Sequence, residues 1–213
     1  MKNALIIGAS GGIGSALQTA YSKNNIFGVI NTLTRSKDSF DIRDENSVTR
    51  ALENQDYLYD VVIIATGGVE INNNGPEKTI KKLSANNMIE QFSLNAVGPA
   101  LILKHIHKLI PKSQSSHVII LSARVGSISD NRLGGWISYR TAKAALNQIV
   151  RTSAIEIKRT HPKACLLAVH PGTVDTNMTK NYTSHAKVSA EKAANDIINS
   201  VSYTHLRAHE TIP

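Results

Sequence analysis

Short runs that are apolar on both faces alternate along this chain with stretches whose apolar positions recur every three or four residues. Residues 3–7, 26–33, 60–65, 117–121 and 164–170 read as strands, with 39–42 as a further short one. Between them, 12–23, 45–53, 138–159 and 189–201 read as helices. The span 84–110 carries helical periodicity, with Met88, Ile89, Phe92, Leu94, Val97, Leu101 and Ile102 as its apolar positions. Strands apolar on both faces and separated by helices predict a parallel sheet covered on both sides, an α/β doubly wound arrangement. No linker, repeat or low-complexity segment divides the chain, so one domain over 1–201 is expected. The two long irregular stretches, 67–83 and 172–188, follow strand C-termini, where doubly wound folds place their ligands.

Composition narrows the class. The 213 residues are 41% hydrophobic and 19% charged, which suits one domain with a full core and excludes collagen-like and disordered chains. No apolar run approaches the ~20 residues of a membrane helix, and the first residues lead into glycines rather than through a signal-peptide core. A cytoplasmic location with no membrane partner is expected. The single cysteine, Cys165, sits in a strand-like run and reads as core. Net charge is +8, from 24 Lys and Arg scattered along the chain with aromatics at only 5%. Nucleic-acid binding would want those charges in one stripe with aromatic residues between them. A diffuse positive field that draws in an anionic small molecule fits better. His105 and His107, two apart on a predicted helix, face different directions, so no metal site is expected.

Two motifs carry chemistry. Gly8-Ala9-Ser10-Gly11-Gly12-Ile13-Gly14 follows the first strand directly and opens the first helix. A glycine-rich turn in that context lets backbone N–H groups and a helix N-terminus approach a pyrophosphate; a merely tight turn is the alternative. Tyr139-Arg140-Thr141-Ala142-Lys143 sets a phenol and an ammonium one helical turn apart. A neighbouring ammonium lowers a phenol's pKa from its ordinary value of about 10, making Tyr139 a usable proton donor and acceptor. Taken alone, the motif could equally be an exposed helical pair.

In their order these elements resemble the short-chain dehydrogenase/reductase family over about residues 3–200. The resemblance rests on the glycine turn and on Ala65-Thr66-Gly67-Gly68 in the place of the family's N-A-G. It continues through Asn95 in Leu94-Asn95-Ala96-Val97-Gly98-Pro99, Tyr139 with Lys143, and Pro171-Gly172-Thr173-Val174-Asp175-Thr176. Ile7 stands where a threonine usually precedes the first glycine. Residues 123–128 and 134–140 are similar to C-factor-like and sniffer-like carbonyl reductases within the family.

The resemblance implies a Rossmann-type parallel sheet, an NAD(P)-dependent oxidoreductase acting on CH–OH or C=O groups, and a homodimer or homotetramer. It makes Tyr139 the general acid/base, Lys143 the residue that binds the nicotinamide ribose and lowers the tyrosine pKa, and Asn95 the holder of a water relay. It sets the dinucleotide on Gly8, Ser10, Gly11, Gly12, Ile13 and Gly14, beside Ala65, Thr66 and Gly67. Pro171, Gly172, Val174 and Thr176 belong to the loop over the nicotinamide, and Asp41 and Ile42 fall where the family contacts adenine. Arg35 ends the second strand, where NAD enzymes of this fold carry a carboxylate, so NADP(H) is favoured over NAD(H), with Ser10 as a second contact. A solvated loop arginine is the alternative.

One position departs from the pattern. The family's substrate-orienting serine, three residues before the glycine matching Gly126, is Ala123 here. Some hydroxyl must hydrogen-bond the carbonyl oxygen as it gains charge. Ser122 is the expected substitute, with Ser127 the other candidate, although strand alternation points Ser122 away. Trp136 either lines the substrate pocket or packs. The expected substrate is a small or moderately apolar carbonyl or alcohol, since no dedicated anion clamp stands out. Ala123 also supports a rival, a catalytically weak dinucleotide-binding sensor or signalling protein of the same fold. The tail 202–213 has neither strand alternation nor a helical face. It resembles a translated sequencing adapter more than a native ending, which would leave the family's final strand missing or altered.

Overall fold

Both faces of the apolar runs are covered. The computed structural model describes residues 1–72, 74–182 and 186–204, with side chains up to residue 200. Strands β1 (Lys2–Ile7), β2 (Phe27–Leu33), β3 (Val61–Ile64), β4 (Ser116–Leu121) and β5 (Ala164–Val169) form one sheet. All pair in parallel, in the order β2-β1-β3-β4-β5. Every residue of β3 and β4 is buried, as central strands of a doubly covered parallel sheet require.

Successive side chains of a strand point to opposite faces, and the helices divide accordingly. Helices α3 (Glu45–Glu53), α5 (Gly98–Leu109) and α6 (Ile137–Ile157) bring Val48, Ile102 and Leu146 against Leu5, Ile7, Val62 and Ile64. On the other face, α1 (Gly12–Ser22) and α7 (Ala190–Thr204) bring Leu17 and Ile197 against Ala4, Ile6 and Ile63. None of the helices is long and apolar enough to cross a membrane, among the described residues.

The expected strand at 39–42 does not form. A four-residue helix, α2 (Arg35–Asp38), occupies the turn after β2. It is capped by Thr34, whose hydroxyl accepts Lys37 N–H at 3.2 Å, while Asp38 accepts Thr34 N–H at 2.7 Å. Ser39 then adopts a left-handed conformation (φ 50°), and Asp41 N–H is taken by Ser47 Oγ at 3.0 Å. Phe40 and Ile42 are buried as expected of alternating apolar residues, but as plugs in the core. The span 84–110 is likewise not one regular helix. Between α4 (Ala85–Phe92) and α5 lies a π-helical turn, Ser93–Val97. Helix α7 continues to Thr204, into the stretch set apart from the sequence; 205–213 lies outside the described residues.

Candidate active site

The C-terminal ends of the strands open onto a cleft of about 1780 Å³. Its floor is the glycine turn. Gly8 has φ 93°, and a Cβ there would lie 2.9 Å from the Ala65 carbonyl, so only glycine lets the β1 and β3 ends meet. Gly11 caps α1 with no side-chain hydrogen bond, leaving the first N–H groups of that helix directed outward. Thr66 Oγ1, which lines the same cleft, is buried and has no hydrogen-bond partner among the described residues. An uncapped helix N-terminus beside an orphaned hydroxyl fits a bound phosphate and ribose, so the residues present suit a dinucleotide. Every cofactor-site residue expected from the sequence lines the cleft except Gly14 and Asn95. Gly14 is buried against the Gly8 carbonyl inside the turn.

At one end of the cleft stand Arg35 and Asp41. Arg43, which the sequence reading passed over, joins them: its guanidinium bonds both Asp41 oxygens, at 3.2 and 3.1 Å. That hydrogen bonding holds the Asp41 carboxyl below its usual range.

Towards the other end, α6 presents Tyr139 and Lys143, both buried. Lys143 Nζ lies 5.8 Å from the Tyr139 ring centroid and donates to Leu121 O at 3.1 Å. Burial pushes Lys143 down to about 8 and Tyr139 up to about 12. The expectation that the lysine lowers the tyrosine is therefore reversed in the chain by itself. Desolvation penalises the charged form of each and outweighs their attraction. Tyr139 is a neutral phenol at neutral pH, which is the proton-donating form.

Asn95 sits in the middle of the π turn, fully buried. Its Oδ1 accepts Gly68 N–H at 3.1 Å, and its amide donates to Gly68 O at 2.9 Å and Gln91 Oε1 at 2.8 Å. A Cβ on Gly67 would lie 2.8 Å from Asn95 Oδ1 and 3.5 Å from Lys143 Nζ. Asn95 thus grips the loop after β3 from behind, with its oxygen near the ammonium. Gln91 completes the grip by donating to Val69 O at 2.7 Å.

Ser122 lines the cleft and donates to Asn147 Oδ1 at 2.6 Å, two turns along α6 from Tyr139. Ala123 also lines the cleft. Ser127 does not; its hydroxyl accepts Asp130 N–H at 3.3 Å in the exposed loop beyond.

Two features carried no sequence signal. Buried Glu77 accepts Ser138 N–H at 3.2 Å, the Ser138 hydroxyl, and Asn87 Nδ2 at 2.8 Å, while its carbonyl accepts Trp136 N–H. A carboxylate from 61 residues upstream therefore caps the helix that bears Tyr139, whose own N-cap, Trp136, makes no side-chain cap bond. Tyr182 donates to Glu70 Oε1 at 2.9 Å and so ties the loop after β5 to the loop after β3. Contacts between residues that far apart in sequence leave no periodicity to read.

The parallel doubly wound sheet, the glycine turn at β1–α1 and the buried tyrosine–lysine pair on α6 stand together around one cleft. The short chain dehydrogenase family model matches residues 2–187, and the chain belongs to that family. Over 112 residues it is 32% identical to a 1-hydroxy-2-glutathionyl-2-methyl-3-butene dehydrogenase of Rhodococcus sp., covering 52% of this chain and 48% of that one. Over 91 residues it is 33% identical to C-signal of Myxococcus xanthus, covering 43% of this chain and 54% of that protein. The chain thus spans about half the length of these curated relatives. In fold it is similar to the carbonyl reductase Sniffer of D. melanogaster, with TM-score 0.79, 20% identity, and 95% and 92% of the two chains covered. It is similar too to a short-chain dehydrogenase/reductase from Burkholderia multivorans with bound NADP, with TM-score 0.78, 22% identity, and 94% and 90% covered.

Proposed function

We propose that this chain is an NADP(H)-dependent oxidoreductase that interconverts a carbonyl and an alcohol, with Tyr139 as its general acid/base. The observation that carries the reading is the buried Tyr139–Lys143 pair in a cleft whose far end bears Arg35 and Arg43. A bound nicotinamide dinucleotide supplies or accepts the hydride. The uncapped start of α1 and Thr66 Oγ1 suit its phosphates and ribose; Arg35 and Ser10 suit a 2′-phosphate. The NADP bound to the Burkholderia multivorans protein supports the same preference.

In the reductive direction Tyr139, held neutral by burial, donates its proton to the carbonyl oxygen. Lys143, charged at neutral pH, stabilises the resulting phenolate and holds the ribose. Asn95 Oδ1, near Lys143 Nζ, anchors a water through which the proton is replaced. Ser122 supplies the second hydrogen bond to the carbonyl. Turning the Asn147 amide over lets its Nδ2 donate to Ser122 Oγ and frees the serine proton, with loss of the long 3.5 Å bond from Asn147 Nδ2 to Gly126 O.

Tyr139→Phe tests the central role. It removes the proton donor and keeps the ring, so NADPH-linked carbonyl reduction falls at least ~100-fold, while NADPH affinity by calorimetry stays within about twofold. Substantial residual turnover would remove Tyr139 from the chemistry. A second reading, a weakly catalytic dinucleotide sensor, is favoured by Ala123 at the serine position; tight NADPH binding without turnover on any carbonyl would select it.

A further inference from the structure

Aromatic residues make up 5% of this chain, yet three of them meet at one wall of the cleft. The single tryptophan, Trp136, has its ring centroid 6.2 Å from that of Tyr139 and 5.0 Å from that of Tyr182. Both contacts are edge-to-face, at 66° and 61°, so neither tyrosine covers the indole by stacking on it. Trp136 is held there against backbone preference, since its φ of 54° is one that a bulky side chain rarely adopts. The Glu77 carbonyl secures it through the Trp136 N–H. Tyr182 is secured as well, by its bond to Glu70 at 2.9 Å, and Asn181 Nδ2 reaches the same carboxylate oxygen at 3.3 Å. Leu133 and Met178, both unusually exposed for apolar residues, line the same cleft.

Resting on the reductase reading, we infer that the substrate is an aryl carbonyl whose ring seats against Trp136, between Tyr139 and Tyr182, with its C=O at the Tyr139 hydroxyl. The inference deepens that reading by naming a substrate class. A flat ring adds edge-to-face contacts that a puckered ring of the same size cannot make, each worth roughly a two- to tenfold gain in affinity. Glu70 acts through Tyr182: it fixes the phenol at the wall and touches neither the ring nor the carbonyl.

Because Trp136 is the only tryptophan, its emission reports occupancy of this wall directly, whether or not turnover follows. Protein saturated with NADP⁺ is titrated with acetophenone and, in parallel, cyclohexyl methyl ketone, with correction for ligand absorbance. Acetophenone should change the emission saturably, with a Kd at least fivefold lower than its saturated counterpart. Tyr182→Leu should cut that difference at least twofold and Tyr182→Phe should retain most of it, NADP⁺ affinity serving in each variant as the check on folding. Equal affinity for the two ketones, or a preference left unchanged by Tyr182→Leu, overturns the inference. The two readings fail separately. Acetophenone-selective binding with no NADPH oxidation upholds the aromatic seat and rejects the reductase, whereas equal kcat/KM for both ketones rejects the seat and upholds the reductase.

Discussion

An ammonium taken out of water keeps its proton only if something replaces its hydration, and among the described residues Lys143 has a single hydrogen-bond partner, the Leu121 carbonyl. Its pKa therefore falls from 10.5 to about 8. The unfolded chain holds that proton up to pH 10.5, so between about 8 and 10.5 the unfolded state binds more protons and stability rises with pH. The slope from this one group reaches at most ~1.4 kcal/mol per pH unit. Denaturant unfolding at pH 7.5, 8.5 and 9.5 should show the slope in the wild type and its loss in Lys143→Met. Parallel profiles for the two proteins would mean that the lysine is solvated. At this scale the sequence singled out candidate residues and was uninformative about their environment. Tyr139 and Lys143 could be picked out by their spacing, and Asn95 by its place in an ordered set of motifs. That burial, rather than mutual attraction, sets both pKa values depends on walls contributed by β4 and the loop after β3, which no spacing encodes.

Among the elements, α6 owes its starting point to a residue outside it. Glu77 satisfies the Ser138 N–H and hydroxyl and places a negative charge at the helix N-terminus, where the helix dipole favours it. Burial alone would raise this carboxyl, but the bonds from Ser138 and Asn87 outweigh it and hold it below its usual range. Glu77→Gln turns one acceptor oxygen into an N–H donor facing other donors. It should destabilise the fold by about 1–3 kcal/mol, read as a shift in denaturant midpoint; a shift no larger than that of an exposed control such as Glu156→Gln would remove Glu77 from the account. Most strands and helices were legible because hydrophobic period is what covers a sheet. The segment 39–42 was misread because its alternation is genuine but its backbone bonds to Ser47 and to a turn rather than to a neighbouring strand. The π turn at Asn95 was hidden for a related reason: one such turn breaks the helical ladder locally and leaves the flanking α4 and α5 stripes readable.

For the whole molecule, topology gathers what the chain separates. Gly8, Arg35, Thr66, Tyr139 and Pro171 come from five different stretches and line one cleft because parallel strands all end on the same side. That gathering was legible once the fold class was. The loop-to-loop ties at Glu70 and Tyr182, and the aromatic wall they secure, were not. The net charge of +8 suits a polyanionic cofactor, and Arg35 gives that charge a specific place in the cleft, where Arg43 is already paired with Asp41. The most direct measurement is steady-state oxidation of NADPH and of NADH by the purified protein against a panel of aldehydes and ketones. Turnover with NADPH at least tenfold more efficient than with NADH is the expected result. NADPH binding with no turnover on any carbonyl, or a preference for NADH, would contradict the account.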